Sequence, residues 1–249
     1  MSDFSINNCN ILAIKRNTIT VDDIILNHQI EKMNSGDILL FSGKHSIISS
    51  IIKWWTNSYY SHVGIVLKNP YIYHNDIYSE LKGYYLLESG AEDIPDAEDH
   101  VKKYGVQIVP LRKIIENYDG EIYWRKLNIN STNYSHNTLN FMISKIYRYI
   151  KNKPYDLNIF DLLCTNINVF KPQKLYSYAF LNWWSHDEQK QDRFVCSALV
   201  AYMYTKLDFL PQITHWTECI PRFFSDENPN LELLKGAFLE EQKKLNKLK

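Results

Sequence analysis

The 249 residues predict one α+β domain. Three observations carry that expectation. Short apolar runs bounded by turn residues crowd the first half of the chain and read as strands. Apolar positions at helical spacing dominate the second half. Strands and helices do not alternate regularly, as the βαβ units of a doubly wound sheet would require. No repeat period and no Gly/Ser- or Pro-rich linker divides the chain.

Residues 1–35 form a weakly patterned N-terminal extension. Within it, Val21–Ile30 is a candidate helix, with the Thr20 hydroxyl placed to accept from a free backbone N–H. The signals sharpen at Gly36, where Asp37 to Phe41 is a short apolar strand. Ser46 to Thr56 places Ile47, Ile48, Ile51, Ile52 and Trp55 on one helical face, with Ser49, Ser50 and Lys53 opposite, and Asn57-Ser58 ends it. Val63–Leu67 is a second strand closed by Asn69-Pro70, and Tyr84–Ser89 a third. The stretch Tyr71–Gly83 between them carries no recognisable code. Gly105–Val109 and Glu121–Leu127 read as two more strands. Pro110 starts a short helix, where its missing N–H costs nothing.

The second half is helical. Thr138–Ile150 carries Leu139, Met142, Ile143, Ile146 and Ile150 on one stripe. Pro154-Tyr155-Asp156 is a turn, Leu157–Ile167 a short helix, and Phe194–Leu207 the strongest helix. Asn230–Lys249 is amphipathic, and residues 226–249 are expected to be a helical tail beyond a domain at 36–225.

Twenty-eight basic residues balance twenty-eight acidic ones, which removes the electrostatic footprint of a general nucleic-acid binder. The hydrophobic fraction of 45% supports a core and excludes a disordered chain or a disulfide-stapled miniprotein. Cys9, Cys164, Cys196 and Cys219 are scattered without a C-x-x-C pair, so they read as reduced thiols. No basic-then-apolar leader opens the chain, and no apolar run approaches the roughly 20 residues of a membrane span. The expectation is an intracellular protein. No nucleotide-binding pattern of the Walker A or GxGxxG type is present.

Cys196 is the best candidate for chemistry. It lies in the first turn of the strongest helix, where unpaired backbone N–H groups and the helix dipole favour a thiolate and could bind an oxyanion. A free cysteine is more often a small buried hydrophobe, so the position alone does not decide. Of eight histidines, His62 stands out as a base, because it sits directly before the buried strand Val63–Leu67. Glu88, after two leucines on a strand, is the candidate to orient the imidazole. Strand alternation equally allows it to face solvent. Asp156 competes for that role.

Together these segments resemble a known family. Gly36-Asp-Ile-Leu-Leu-Phe41, an Ile/Trp helix, Ser61-His-Val-Gly-Ile-Val66, Leu87-Glu-Ser89, Pro154-Tyr-Asp156 and Phe194-Val-Cys-Ser-Ala-Leu-Val200 stand in the order of circularly permuted papain-fold NlpC-type hydrolases. The nearest branch is the YiiX-like proteins and their poxvirus relative. The resemblance implies a permuted papain-like fold, a small antiparallel sheet or partial barrel packed against helices. It implies Cys196 as nucleophile, His62 as base and Glu88 as orienting acid, with Tyr155 bordering the oxyanion site. Ala198 stands where the family helix often has Glu. No cofactor and no metal is implied.

Three functions stay open. One is an amidase or peptidase acting on a peptide-like substrate. A second is lipid-directed acyl transfer or ester hydrolysis, with Trp54, Trp55, Tyr59 and Tyr60 as an apolar rim and peripheral membrane contact. The third is an inactive binding or virion protein. The resemblance places the chain in the cytoplasm of a cell or infected host, or in a virion.

Overall fold

The computed structural model describes residues 20–74, 76–90, 94–129, 135–155 and 193–246. Helix α1 (Val21–Glu31) starts where expected. The Thr20 hydroxyl accepts from the Asp23 N–H at 3.1 Å, and the Asp23 carboxylate accepts from the Thr20 N–H at 3.0 Å. Strand β1 (Ile38–Gly43) follows, then helix α2 (Ile47–Thr56), capped by Ser46 and ended by Asn57 in the left-handed region. Strand β2 (His62–Lys68) leads into a hairpin, β3 (Tyr71–His74) and β4 (Ile77–Glu80), in the stretch that carried no sequence code. Strands β5 (Tyr84–Gly90) and β6 (Gly105–Pro110) lead to the short helix α3 (Leu111–Asn117), and β7 (Gly120–Arg125) and β8 (Leu127–Asn128) precede helix α4 (His136–Ile150). Helix α5 (Cys196–Lys206) is the last long element before two 3-10 turns and the short strands β9 (Phe238–Leu239) and β10 (Lys243–Lys244).

The fold is α+β. Six antiparallel strands form the main sheet in the order β10-β7-β1-β2-β5-β6. Its two faces read directly from strand alternation. Ile38, Leu40, Val63, Ile65 and Leu87 pack with α4 and α5, while Leu39, Phe41, Val66, Leu86 and Val109 pack with α1 and α3. Helix α5 is buried from Cys196 to Thr205, against β2, β5, α4 and the turn at Trp216–Glu218. A helix apolar all round suits that enclosed position.

The Gly36-Asp37 pair that opens β1 is a structural device. Gly36 has φ +97°, and a Cβ there would stand 2.7 Å from a Leu127 methyl. The buried Asp37 carboxylate accepts from the Asn34 N–H, the Leu127 N–H and the Trp124 indole at 2.8–3.0 Å. Burial nonetheless pushes its pKa up to about 6.

The expected helical tail at 226–249 is corrected. Its described residues are turns and irregular backbone with two short strands, β9 on β8 and β10 on β7. Lys235 and Gly236 both have positive φ, which interrupts any helix. Arg125 gathers the carbonyls of Phe224, Leu239 and Glu240 at 2.8–3.1 Å, so the tail finds its hydrogen bonds outside itself. Nor do residues 35 and 225 mark edges of the packed body: Leu26, Ile30 and Met33 on one side and Leu245 on the other enter the same core. The expected helix at Leu157–Ile167 lies outside the described residues. No helix among the described residues is long and apolar enough to cross a membrane.

Candidate active site

Cys196 is the first residue of α5, after Val195 in extended conformation, and no side chain caps this helix. The segment leading to it is pinned on both sides. The Phe194 N–H donates to the Pro154 carbonyl at 3.1 Å, and Ser89 Oγ donates to the Phe194 carbonyl at 2.6 Å. The thiol is therefore delivered at a fixed point, with the unpaired N–H groups of a helix start around it.

His62 is the first residue of β2. Its ring packs on Phe41 at 5.3 Å between centroids and keeps 15% of its side chain exposed. Nε2 donates to Glu88 Oε2 at 2.7 Å. The Cys196 sulfur lies near enough to the same ring to raise its affinity for a proton. With Nε2 committed to Glu88, Nδ1 is the nitrogen left for sulfur. Burial alone would lower the proton affinity of the ring. The sulfur of Cys196 and the Glu88 carboxylate outweigh it and hold His62 well above the ordinary value of 6.5.

Glu88 is 1% exposed, so the solvent-facing alternative is not the one adopted. Its other oxygen, Oε1, accepts from Gln107 Nε2 at 3.1 Å. The carboxylate lies along its own strand over Gly90, where an added Cβ would stand 3.0 Å from Oε1. Strands β2 and β5 are paired up to Ile65 opposite Leu87, and His62 and Glu88 stand just past that last pair.

The structure thus brings Cys196, His62 and Glu88 together from one helix and two adjacent strands. Tyr155 is bridged to Phe194, two residues before the thiol. Its backbone N–H donates to the Tyr104 carbonyl at 3.1 Å, so an oxyanion role would fall to its phenol. Asp156 lies outside the described residues, as do His186, Cys9 and Cys164. His28, His45, His74, His100, His136 and His215 are exposed. Cys219 is buried beside the His215 carbonyl, and burial pushes its thiol up to about 12.

Three contributors were not singled out in the sequence: Ser89, Gly90 and Gln107. Gln107 left a signal, a lone polar residue within the apolar run Gly105–Val109. Ser89 and Gly90 left none, because their roles depend on contacts with the segment before α5 and with a folded-back side chain.

No protein-family model matches the chain, and neither does any curated protein. Among similar solved structures is the metalloprotein YiiX from Escherichia coli O157:H7, 18% identical, with a TM-score of 0.38. The match covers 70% of this chain and 65% of that one, less than two thirds of its length. Such a likeness is a weak fold relation and carries no chemistry across. Among the described residues, no group of three or more His, Cys, Asp or Glu side chains could hold a metal ion.

Proposed function

We propose that this chain is a cysteine-dependent hydrolase of amide or ester bonds, of the permuted papain-like NlpC type, with Cys196 as nucleophile. The observation that carries the reading is the position of the His62 ring between the Cys196 thiol and a buried carboxylate. A thiol beside an imidazole that a carboxylate holds is the arrangement acyl transfer through a thioester calls for.

In the reaction, His62 takes the Cys196 thiol proton as the sulfur bonds to the acyl carbon, while N–H groups at the start of α5 hold the developing oxyanion. The bond from that carbon to the leaving nitrogen or oxygen breaks, and His62 gives the departing group its proton. Water then adds to the thioester carbon as His62 takes a proton from it. The C–S bond breaks, releasing the acid and restoring the thiol. Glu88 stabilises the charged imidazole throughout.

A second reading within the same chemistry is a lipid-like acyl substrate. Lys53 turns inward, donating to the Gly43 carbonyl at 2.7 Å, while Trp54 is 72% exposed on α2, just before the His62 strand. An apolar side chain so placed suits an acyl chain or a lipid surface better than a polar peptide.

The test is acyl trapping. The protein is incubated with matched amide and fatty-ester substrates, quenched in acid, and weighed intact. A thioester adduct mapped to Cys196 and absent from Cys196→Ala supports hydrolase chemistry, and the productive substrate selects the class. A folded protein in which Cys196 forms no adduct, and reacts no faster than Cys219 with iodoacetamide at pH 6–7, would overturn the proposal.

A further inference from the structure

We infer that Gln107 is a positioning residue of this site, holding the Glu88 carboxylate in its His62-facing orientation through the amide that reaches Glu88 Oε1. The inference rests on the hydrolase reading and extends the site to a fourth residue, the third borne on a strand.

Gln107 lies directly across from Glu88 in the β5–β6 pairing and is fully buried. Its Nε2 donates to Glu88 Oε1 at 3.1 Å, while Glu88 Oε2 takes the proton of His62 Nε2 at 2.7 Å. Both oxygens of a carboxylate without solvent are thereby engaged by donors. Each contact is directional: Oε1 accepts from the amide and Oε2 from the ring, so the plane of the carboxyl group is set from both sides.

The other end of the amide shows what fixes its orientation. Gln107 Oε1 is buried with no hydrogen-bond partner among the described residues. A flip would not relieve it, because the position Nε2 now holds faces the Glu88 carboxyl oxygen, an acceptor. Here the amide keeps its donor on Glu88, because turning it over would set oxygen against carboxylate oxygen. Gly90 leaves the space the carboxyl group occupies, since a Cβ there would stand 3.0 Å from Oε1. The carboxylate is thus held from β6, and the orientation passes to His62 and so to Cys196.

The test reads the pH dependence of Cys196 alkylation in the full chain, which a role confined to packing would not move. Gln107→Met keeps the volume and removes the donor. Its alkylation profile should move to higher pH by about one unit, the scale of a lost hydrogen bond to a charged group. Gln107→Asn, whose shorter amide cannot reach Glu88, should move the same way and stands in if Gln107→Met does not fold. Glu88→Gln is run beside them. If Glu88→Gln shifts the profile and a folded Gln107 variant does not, the inference about Gln107 is overturned and the hydrolase site stands. If Glu88→Gln leaves the profile unchanged, Glu88 plays no part in activating the thiol, the inference about Gln107 falls with it, and Cys196 and His62 act as a dyad.

Discussion

Ser89 Oγ lies 2.6 Å from the Phe194 carbonyl, a bond between two almost fully buried residues 105 positions apart. It ties the strand bearing Glu88 to the backbone two residues before Cys196. Ser89→Ala leaves that carbonyl buried without its side-chain partner. The expected cost is about 1–3 kcal/mol in urea unfolding. Cys196 alkylation should also slow, because the start of α5 is no longer held against β5. A variant destabilised to this extent with unchanged thiol reactivity would confine Ser89 to the fold.

The folded protein holds the His62 proton more tightly than the unfolded chain does. The stability this contributes is complete below about pH 6.5, the unfolded value, and is lost as pH rises through the higher folded value. Cys196→Ala removes the leading upward influence on the ring and leaves burial and Glu88. The ring should then titrate at lower pH, and the pH range of stability loss should move down with it. NMR titration of the His62 ring protons checks the first expectation, and urea unfolding across pH 6–9 the second. A ring titration unchanged by Cys196→Ala would mean that thiol and imidazole are uncoupled.

Cys219 and Cys196 are both buried, yet they should behave oppositely. The Cys219 thiol is pushed up to about 12, so it should resist iodoacetamide at neutral pH until the protein unfolds. Cys196, with His62 against it, should be labelled first. Peptide mapping after brief exposure at pH 6–7 ranks the two, and faster labelling of Cys219 would contradict the assignment.

Gly90→Ala inserts a methyl 3.0 Å from Glu88 Oε1. The carboxyl group must give way by a few tenths of an ångström. Reactivity should fall several-fold, given that a misplacement of about 1 Å can cost about 100-fold. Stability should fall by about 1 kcal/mol or somewhat more. Alkylation rate and thermal midpoint, measured on one preparation, separate the two effects.

Arg125 binds the tail carbonyls of Leu239 and Glu240 and that of Phe224 just before the tail, and pairs with Asp226 at 3.1 Å. Arg125→Met should destabilise the protein by about 3 kcal/mol, since several bonds to a charged, mostly buried group go at once. Limited proteolysis should cut the segment after Asp226 faster than in the parent protein. A tail equally resistant in the variant would show that β10 pairing alone retains it.

What was legible beforehand is what local chemistry encodes. Thr20 and Ser46 announce helix starts through hydroxyls that accept from nearby N–H groups, and Asn57 announces an end through its tolerance of positive φ. The start of α5 at Cys196 and the burial of β1 and β2 follow from apolar spacing. The tail was misread because its amphipathic spacing suits a helix in isolation, whereas Arg125 and the edges of β7 and β8 supply distant partners. The grip of Gln107 on Glu88 was illegible for a related reason: strand alternation gives parity, and only register says which residue stands across.

That register has a practical consequence for anyone preparing this protein. Side chains alternate with a period of two, so a slip of β5 by one residue would present Leu87 or Ser89 to His62 in place of Glu88. Such molecules could keep a compact shape, a normal elution volume and an ordinary circular dichroism spectrum, yet lack an activated thiol. Rapid titration of Cys196 would therefore count the correctly threaded molecules in a sample, and the shortfall against total protein would be the misthreaded fraction.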